Sequence, residues 1–112
     1  MTRRGRGNSP APVYARRTMT WHVYIILCTD DTLYTGITTD IDRRLREHAT
    51  GKGAKYFRGR GPKELLYLEG GHNRSSAGKR EVAIKKMKRA DKCLLADADG
   101  NEADRHPFRP IP

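Results

Sequence analysis

Cysteine is nearly absent from this chain of 112 residues: Cys28 and Cys93 stand far apart and show neither CxxC nor Cys/His spacing. That excludes a disulfide framework and leaves a zinc site unexpected, so both are read as reduced thiols. No apolar run approaches the ~20 residues of a membrane span, and the basic opening Thr2–Thr20 lacks the apolar stretch of a secretory signal. A cytoplasmic protein without a membrane partner is expected. Apolar surface is also scarce. Hydrophobic residues make up 36% of the chain against 32% charged, with mean hydropathy −0.83, so part of the chain is expected to lie outside a packed core. Acid is outnumbered, with 13 Asp and Glu against 23 Lys and Arg, a formal charge of +10. Between residues 21 and 90, 15 basic residues face 8 acidic ones, so the excess belongs to the folded part and points to a polyanionic partner.

The length suits one domain that needs no staple. Residues 1–20 contain five arginines, no acid, and several Gly and Pro, and read as a flexible basic extension; Met19, just before the first patterned segment, is an alternative start. Residues 96–112, with three prolines and no periodicity, read as a second flexible tail, which leaves a domain over 21–95. Within it, Trp21–Cys28 and Thr32–Thr38 form a predicted β-hairpin. A helix is expected from Thr39 or Asp40, with capping-box spacing from Thr39 to Asp42, to about Ala49. Glu64–Glu69 reads as a third strand, and Ser75 or Ser76 opens a second helix reaching Ala90 or Leu94. The predicted order is β-β-α-β-α.

Two features depart from simple patterning. On the first helix Ile41, Leu45 and His48 form the inward stripe, and at ~100° per residue Arg44 falls beside it while Arg43 and Arg46 point away. Arg44 either serves a phosphate pocket together with His48, or lies at the stripe's margin against a carboxylate. In the hairpin, a two-residue turn would put Tyr24 and Tyr34 on opposite faces. A three-residue loop, Thr29–Asp31, pairs Cys28 with Thr32 and sets Tyr24 opposite Gly36 and diagonal to Tyr34. The three-residue loop is the expectation; the alternative meaning of the tyrosines is that both are good strand formers.

Val23-Tyr24-Ile25, Tyr34-Thr35-Gly36 ten residues on, and Arg44 ten residues after Tyr34 resemble the GIY-YIG nuclease superfamily, as do LYTGITTDIDRRLREH and GKGAKYFRGRGP. The likeness to its small stand-alone bacterial members spans about residues 21–90. It implies an α+β fold, a small three-stranded antiparallel sheet flanked by helices. It also implies a catalytic set of Tyr24, Tyr34, Arg44, His48 and Glu81, with Glu81 holding Mg²⁺ or Mn²⁺. The helix's own pattern reads differently at Glu81: an apolar stripe of Ala83, Met87, Ala90 and Leu94 would leave Glu81 on the outer side, paired with Lys85. There are departures as well. The first triplet lacks glycine, Ile37 stands where some members carry lysine, and the asparagine that some members place after the glutamate has no counterpart, since Asn101 falls in the expected tail.

The resemblance implies metal-dependent endonuclease activity on nucleic acid, with DNA placed ahead of RNA and repair or recombination as the setting. Tyr24 would orient or deprotonate water with Tyr34 as partner, Arg44 would hold phosphate oxygens, and His48 would assist or only position the phosphate. The platform for nucleic acid is the run containing Arg43, Arg46, Lys52, Lys55, Tyr56, Arg58 and Arg60, in which Glu47 is the single acid. The alternative is a binding module on the same scaffold that has lost turnover or needs a protein partner for substrate choice.

Overall fold

The computed structural model describes residues 20–50, 60–98 and 100–103. The segments 1–19, 51–59 and 104–112, which carry most of the expected extension and tail together with Lys52, Lys55, Tyr56 and Arg58, lie outside the described residues. β1 (Trp21–Cys28), β2 (Leu33–Thr38) and β3 (Pro62–His72) form an antiparallel sheet in the order β2-β1-β3. α1 (Ile41–Ala49), α2 (Arg74–Lys85) and α3 (Arg89–Ala96) flank it. The fold class is the one expected, with one more helix.

The hairpin turn sets the register. Cys28 N–H donates to the Thr32 carbonyl at 2.8 Å and Asp31 N–H to the Cys28 carbonyl at 2.9 Å, closing the three-residue loop Thr29–Asp31. Asp31 is left-handed, φ 66°, the conformation this loop requires at its last position. The Asp30 carboxylate accepts from both the backbone and the hydroxyl of Thr32, at 3.2 and 2.6 Å, and holds the turn from inside. Tyr24 therefore faces Gly36.

β3 is longer than the expected Glu64–Glu69. Pro62 and the Gly70-Gly71 pair look like strand limits, but β3 is an edge strand, so a first-position proline loses no ladder bond. Gly71, φ 77°, supplies the bend that lets His72 still pair with Trp21.

Asp40 caps α1, accepting from Arg43 N–H at 3.1 Å, so the Thr39–Asp42 box is not the cap that forms. α2 opens at Arg74, ahead of the expected Ser75 or Ser76: Asn73 is its cap and Ser76 completes the capping box from inside the helix. The second helix does not run on to Ala90 or Leu94. It stops at Lys85, Lys88 turns extended, and α3 starts anew. No glycine or proline marks this break. Its physical cause is burial: the turn tucks Met87 and brings Leu95 back onto the cluster of Val23, Ile25, Tyr67, Ala77 and Ile84, which one straight helix would leave behind.

β1 lies between two cores. On the α1 side Tyr24, Ile26 and Cys28 pack with Ile41, Leu45, Leu65 and Leu68; on the other side Val23 and Ile25 pack with α2. The apolar stripe expected at Ala83, Met87, Ala90 and Leu94 does not exist, since Ala83 and Ala90 are exposed and Leu94 is 65% exposed. The inward side of α2 carries Ala77 and Ile84.

Asn101, Glu102 and Ala103, expected in the tail, pack against the free edge of β3. The Asn101 side chain accepts from Leu68 N–H at 3.1 Å and donates to the carbonyls of Leu66 and Ala96 at 3.1 and 2.9 Å. Glu102 accepts from Gly70 N–H at 2.7 Å, and Ala103 is fully buried. These bonds cover an edge that would otherwise present unpaired backbone groups. Asn101→Ala leaves Leu68 N–H and the Leu66 carbonyl of that edge, together with the Ala96 carbonyl and Ala103 N–H, without their side-chain partner and is expected to cost about 2–3 kcal/mol, read by urea unfolding. A change under 0.5 kcal/mol would show that the edge bonds are dispensable.

Candidate active site

Strand alternation sends Tyr24 to the α1 side, where its ring lies over Gly36. A Cβ at position 36 would sit 2.5 Å from the Tyr24 hydroxyl oxygen and 3.1 Å from the Tyr34 ring. The missing side chain is the space the phenol occupies. Tyr34 approaches diagonally, with ring centroids 6.2 Å apart. The α1 stripe then brings His48 onto both: Tyr24 Oη and His48 Nε2 are 3.0 Å apart, and the Tyr34 ring meets the imidazole edge-on at 5.5 Å. Tyr24 and His48 are 0% and 1% exposed.

Arg44, one turn before His48, acts on the Tyr24 phenol through its charge. It also donates from Nη1 to Glu47 Oε1 at 3.0 Å, which is the carboxylate pairing left open in the sequence. Burial works against the guanidinium's charge, but the bonds to Glu47 and Tyr24 outweigh it and strengthen its proton hold. Burial, then the neighbouring Tyr34, push the Tyr24 phenol well above the usual tyrosine range; Arg44 opposes this and the Glu81 carboxylate adds to it. Glu81 is thus within electrostatic reach of Tyr24. Burial, then the charge of Arg44, lower His48 from 6.5 to about 4, so it is neutral at pH 7.

Glu81 stands between Ala77 and Ile84 on the inward side of α2 and is half-buried. The angular count that put it outside ran across the break between α2 and α3, where helical phase is lost. The Lys85 pairing read from the sequence is present, Nζ to Oε2 at 3.1 Å. Among the described residues no three metal-ligating side chains converge.

Of the expected basic platform, Arg43, Arg46 and Arg60 fall among the described residues. Arg43 and Arg44 line a cleft of about 190 Å³ with Trp21, Ile37, Thr38 and Thr39. Arg46 is exposed on the outer side of α1. Arg60 is at the hairpin turn, paired with Asp30 at 3.2 Å and donating to Thr32 Oγ1 at 3.3 Å. Another cleft, about 760 Å³ along the outer face of α2 at Arg74, Gly78 and Val82, touches none of the tyrosine cluster.

Sequence reasoning passed over Glu47, the anion that holds both Arg43 and Arg44; its spacing of three and four residues from them was the available signal. It also passed over a second polar cluster. Glu69 accepts from Tyr67 Oη at 2.5 Å and from Arg80 Nε at 3.2 Å, and His72 bridges it to Ser76. Burial, then the bond to Glu69, push Tyr67 up to about 12. The Ser76-His72-Glu69 order resembles a hydrolytic triad, but the Ser76 hydroxyl is used in the α2 capping box and the cluster ties β3 to α2.

This sheet, with its tyrosines over a strand glycine and an arginine from the next helix, is a small α+β domain of the GIY-YIG type: the profile of the GIY-YIG catalytic domain matches residues 20–93, and the chain belongs to that family. Within it the chain is similar to UPF0213 proteins. It is 50% identical over 80 residues to one from Natronomonas pharaonis, covering 70% of this chain and 94% of that protein. Against one from Oceanobacillus iheyensis it is 47% identical over 81 residues, covering 72% and 94%. The solution NMR structure of a UPF0213 protein from Bacillus halodurans shares 44% identity over 71% of this chain and 85% of that one, with a TM-score of 0.46. The domain suggests nuclease activity and implies nucleic-acid binding. No helix among the described residues is long and apolar enough to cross a membrane.

Two outcomes follow from the packing. Gly36→Ala forces the Tyr24 ring off β2, with an expected cost of about 1–3 kcal/mol and a changed tyrosine near-UV circular dichroism signal; an unchanged spectrum would refute the overlap. His48 titrates at 6.5 when unfolded and about 4 when folded, so the unfolded chain takes up its proton first. The stability tied to neutral His48 is complete above pH ~6.5 and falls by up to about 3 kcal/mol toward pH ~4. Urea unfolding across that range should show a shallower decline for His48→Gln. Parallel declines would assign the effect to another group.

Proposed function

We propose that the chain is a divalent-metal-dependent endonuclease that hydrolyses phosphodiester bonds, in DNA ahead of RNA, in repair or recombination. The observation that supports it is the convergence of Tyr24, Tyr34, His48 and Arg44 over Gly36, with Glu81 close enough to act on the Tyr24 phenol.

Arg44 holds the non-bridging oxygens of a phosphate in the cleft it lines, keeping its charge at any working pH. Bound phosphate offsets the arginine's positive field, one of the two influences that hold His48 low, and so makes the imidazole a better proton acceptor. An in-line water then gives its proton to Tyr24 Oη as the Tyr24 proton moves to His48 Nε2. The new P–O bond forms and the P–O bond to the leaving oxygen breaks. Tyr34 holds the other two rings in place, edge-on to His48 and tilted against Tyr24. Glu81 is the residue that would hold the metal: a carboxylate that belongs to no group of three ligating side chains among the described residues suits Mg²⁺ or Mn²⁺, which keep most of their water, and not zinc. When bound, such an ion supplies positive charge for the leaving oxygen.

The Glu81–Lys85 and Arg44–Glu47 pairs favour a second reading, a binding module whose key groups are engaged internally. A cleavage assay on single-stranded, duplex and branched DNA and on RNA, with Mg²⁺ or Mn²⁺ and with EDTA, separates the two. Tyr24→Phe, Arg44→Ala and Glu81→Ala are expected to lower kcat by roughly 10²–10³ with binding changed only a few-fold. Cleavage that survives Glu81→Ala would overturn the metal site, and tight binding with no cleavage by the natural chain would select the binding module.

A further inference from the structure

Five cations fall between residues 85 and 92, against the single acid Asp91. This run is not part of the Arg43–Arg60 platform, and it sits at the corner where α2 ends and α3 begins. Met87 is tucked against the core while Lys86 and Lys88 on either side of it are exposed, so two ammonium groups flank one anchored residue. Lys88 caps α3 without a side-chain bond to its backbone, which leaves the positive end of that helix at the same corner. Lys86, Lys88 and Lys92 have no acidic partner among the described residues.

The corner is tied to the tyrosine site along one strand. Arg89 and Lys92 line a cleft of about 250 Å³ with Thr32 and Leu33, at the start of β2, and Arg89 donates to the Asp31 carbonyl in the hairpin turn. Tyr34 follows, then Gly36 under the Tyr24 hydroxyl; at the far end of β2, Thr38 and Thr39 line the cleft of Arg43 and Arg44. β2 is an edge strand of six residues, about 20 Å long. At 3.4 Å per step, that matches roughly six nucleotides.

Resting on the nuclease reading above, we propose that Lys86, Lys88 and Lys92 form a second phosphate-contact surface. It would hold the same nucleic-acid strand on the opposite side of the scissile position from Arg43, so that the backbone runs along the β2 edge. Nucleic acid is favoured over an acidic protein because the two cationic clusters lie at the two ends of one edge with the tyrosines between them, an arrangement that suits a continuous polyanion.

The test is the salt dependence of binding of a 16-base-pair DNA, by fluorescence anisotropy in EDTA, where cleavage plays no part. Lys86→Gln/Lys88→Gln/Lys92→Gln is expected to lower the magnitude of the log Kobs against log [salt] slope by about 2–3, at ~0.9 per lost phosphate contact. Lys63→Gln, exposed on β3, serves as the control, with a change below 0.5 expected, and circular dichroism confirms that each variant is folded. A triple variant with the natural slope, in a chain that still binds and cleaves, would overturn this surface and leave the nuclease reading standing. No salt-dependent binding by the natural chain would overturn both. Poly-L-glutamate of matched charge, run in parallel, is expected to bind more weakly; equal affinity and equal loss of slope for both polyanions would overturn the assignment to nucleic acid.

Discussion

The phenol of Tyr24 lies over the bare backbone of Gly36, and the rest of the site depends on that overlap. Because the ring crosses the neighbouring strand, its hydroxyl reaches the position where α1 delivers His48 and Arg44, and Tyr34 closes the other side. A different hairpin register would replace Gly36 with a side chain and send the two tyrosines to opposite faces. The overlap is thus held by the turn: Asp31 in the left-handed region and the Asp30 carboxylate gripping Thr32 select the three-residue loop.

Burial then sets the chemistry. In a site this dry, the phenol keeps its proton more firmly than in water and the imidazole beside it gives its proton up more readily. Neither is reactive at rest. Arg44 is the shared lever, since its charge eases ionisation of Tyr24 and depresses His48, and an anion placed against it changes both together. Glu47 holds this arginine through a hydrogen bond to its Nη1.

Much of this was legible in the chain. Alternation in Trp21–Cys28 and the i, i+4, i+7 spacing of Ile41, Leu45 and His48 are local patterns that survive folding unchanged, because each is set within one element. The side of α2 that carries Glu81 was not legible from periodicity. A helix reads as continuous wherever no Gly or Pro interrupts it, and the stop at Lys85 comes from tertiary demand for Met87 and Leu95. Asn101 was equally hidden: in sequence it is one polar residue among acids and prolines, and only the fold brings the β3 edge at Leu66 and Leu68 and the end of α3 at Ala96 to its amide.

The sequence by itself determined the strands and first helix, the basic balance, and the tyrosine, glycine and arginine spacing, since each follows from neighbours a few residues apart. Only the tertiary structure decided that Glu81 falls on the inward side of α2 with Ala77 and Ile84, that Glu47 engages Arg44, and that Arg89 and Lys92 of the α2–α3 corner meet the start of β2. Those relations depend on how the elements pack, and their geometry exists only once the two cores have closed on either side of β1.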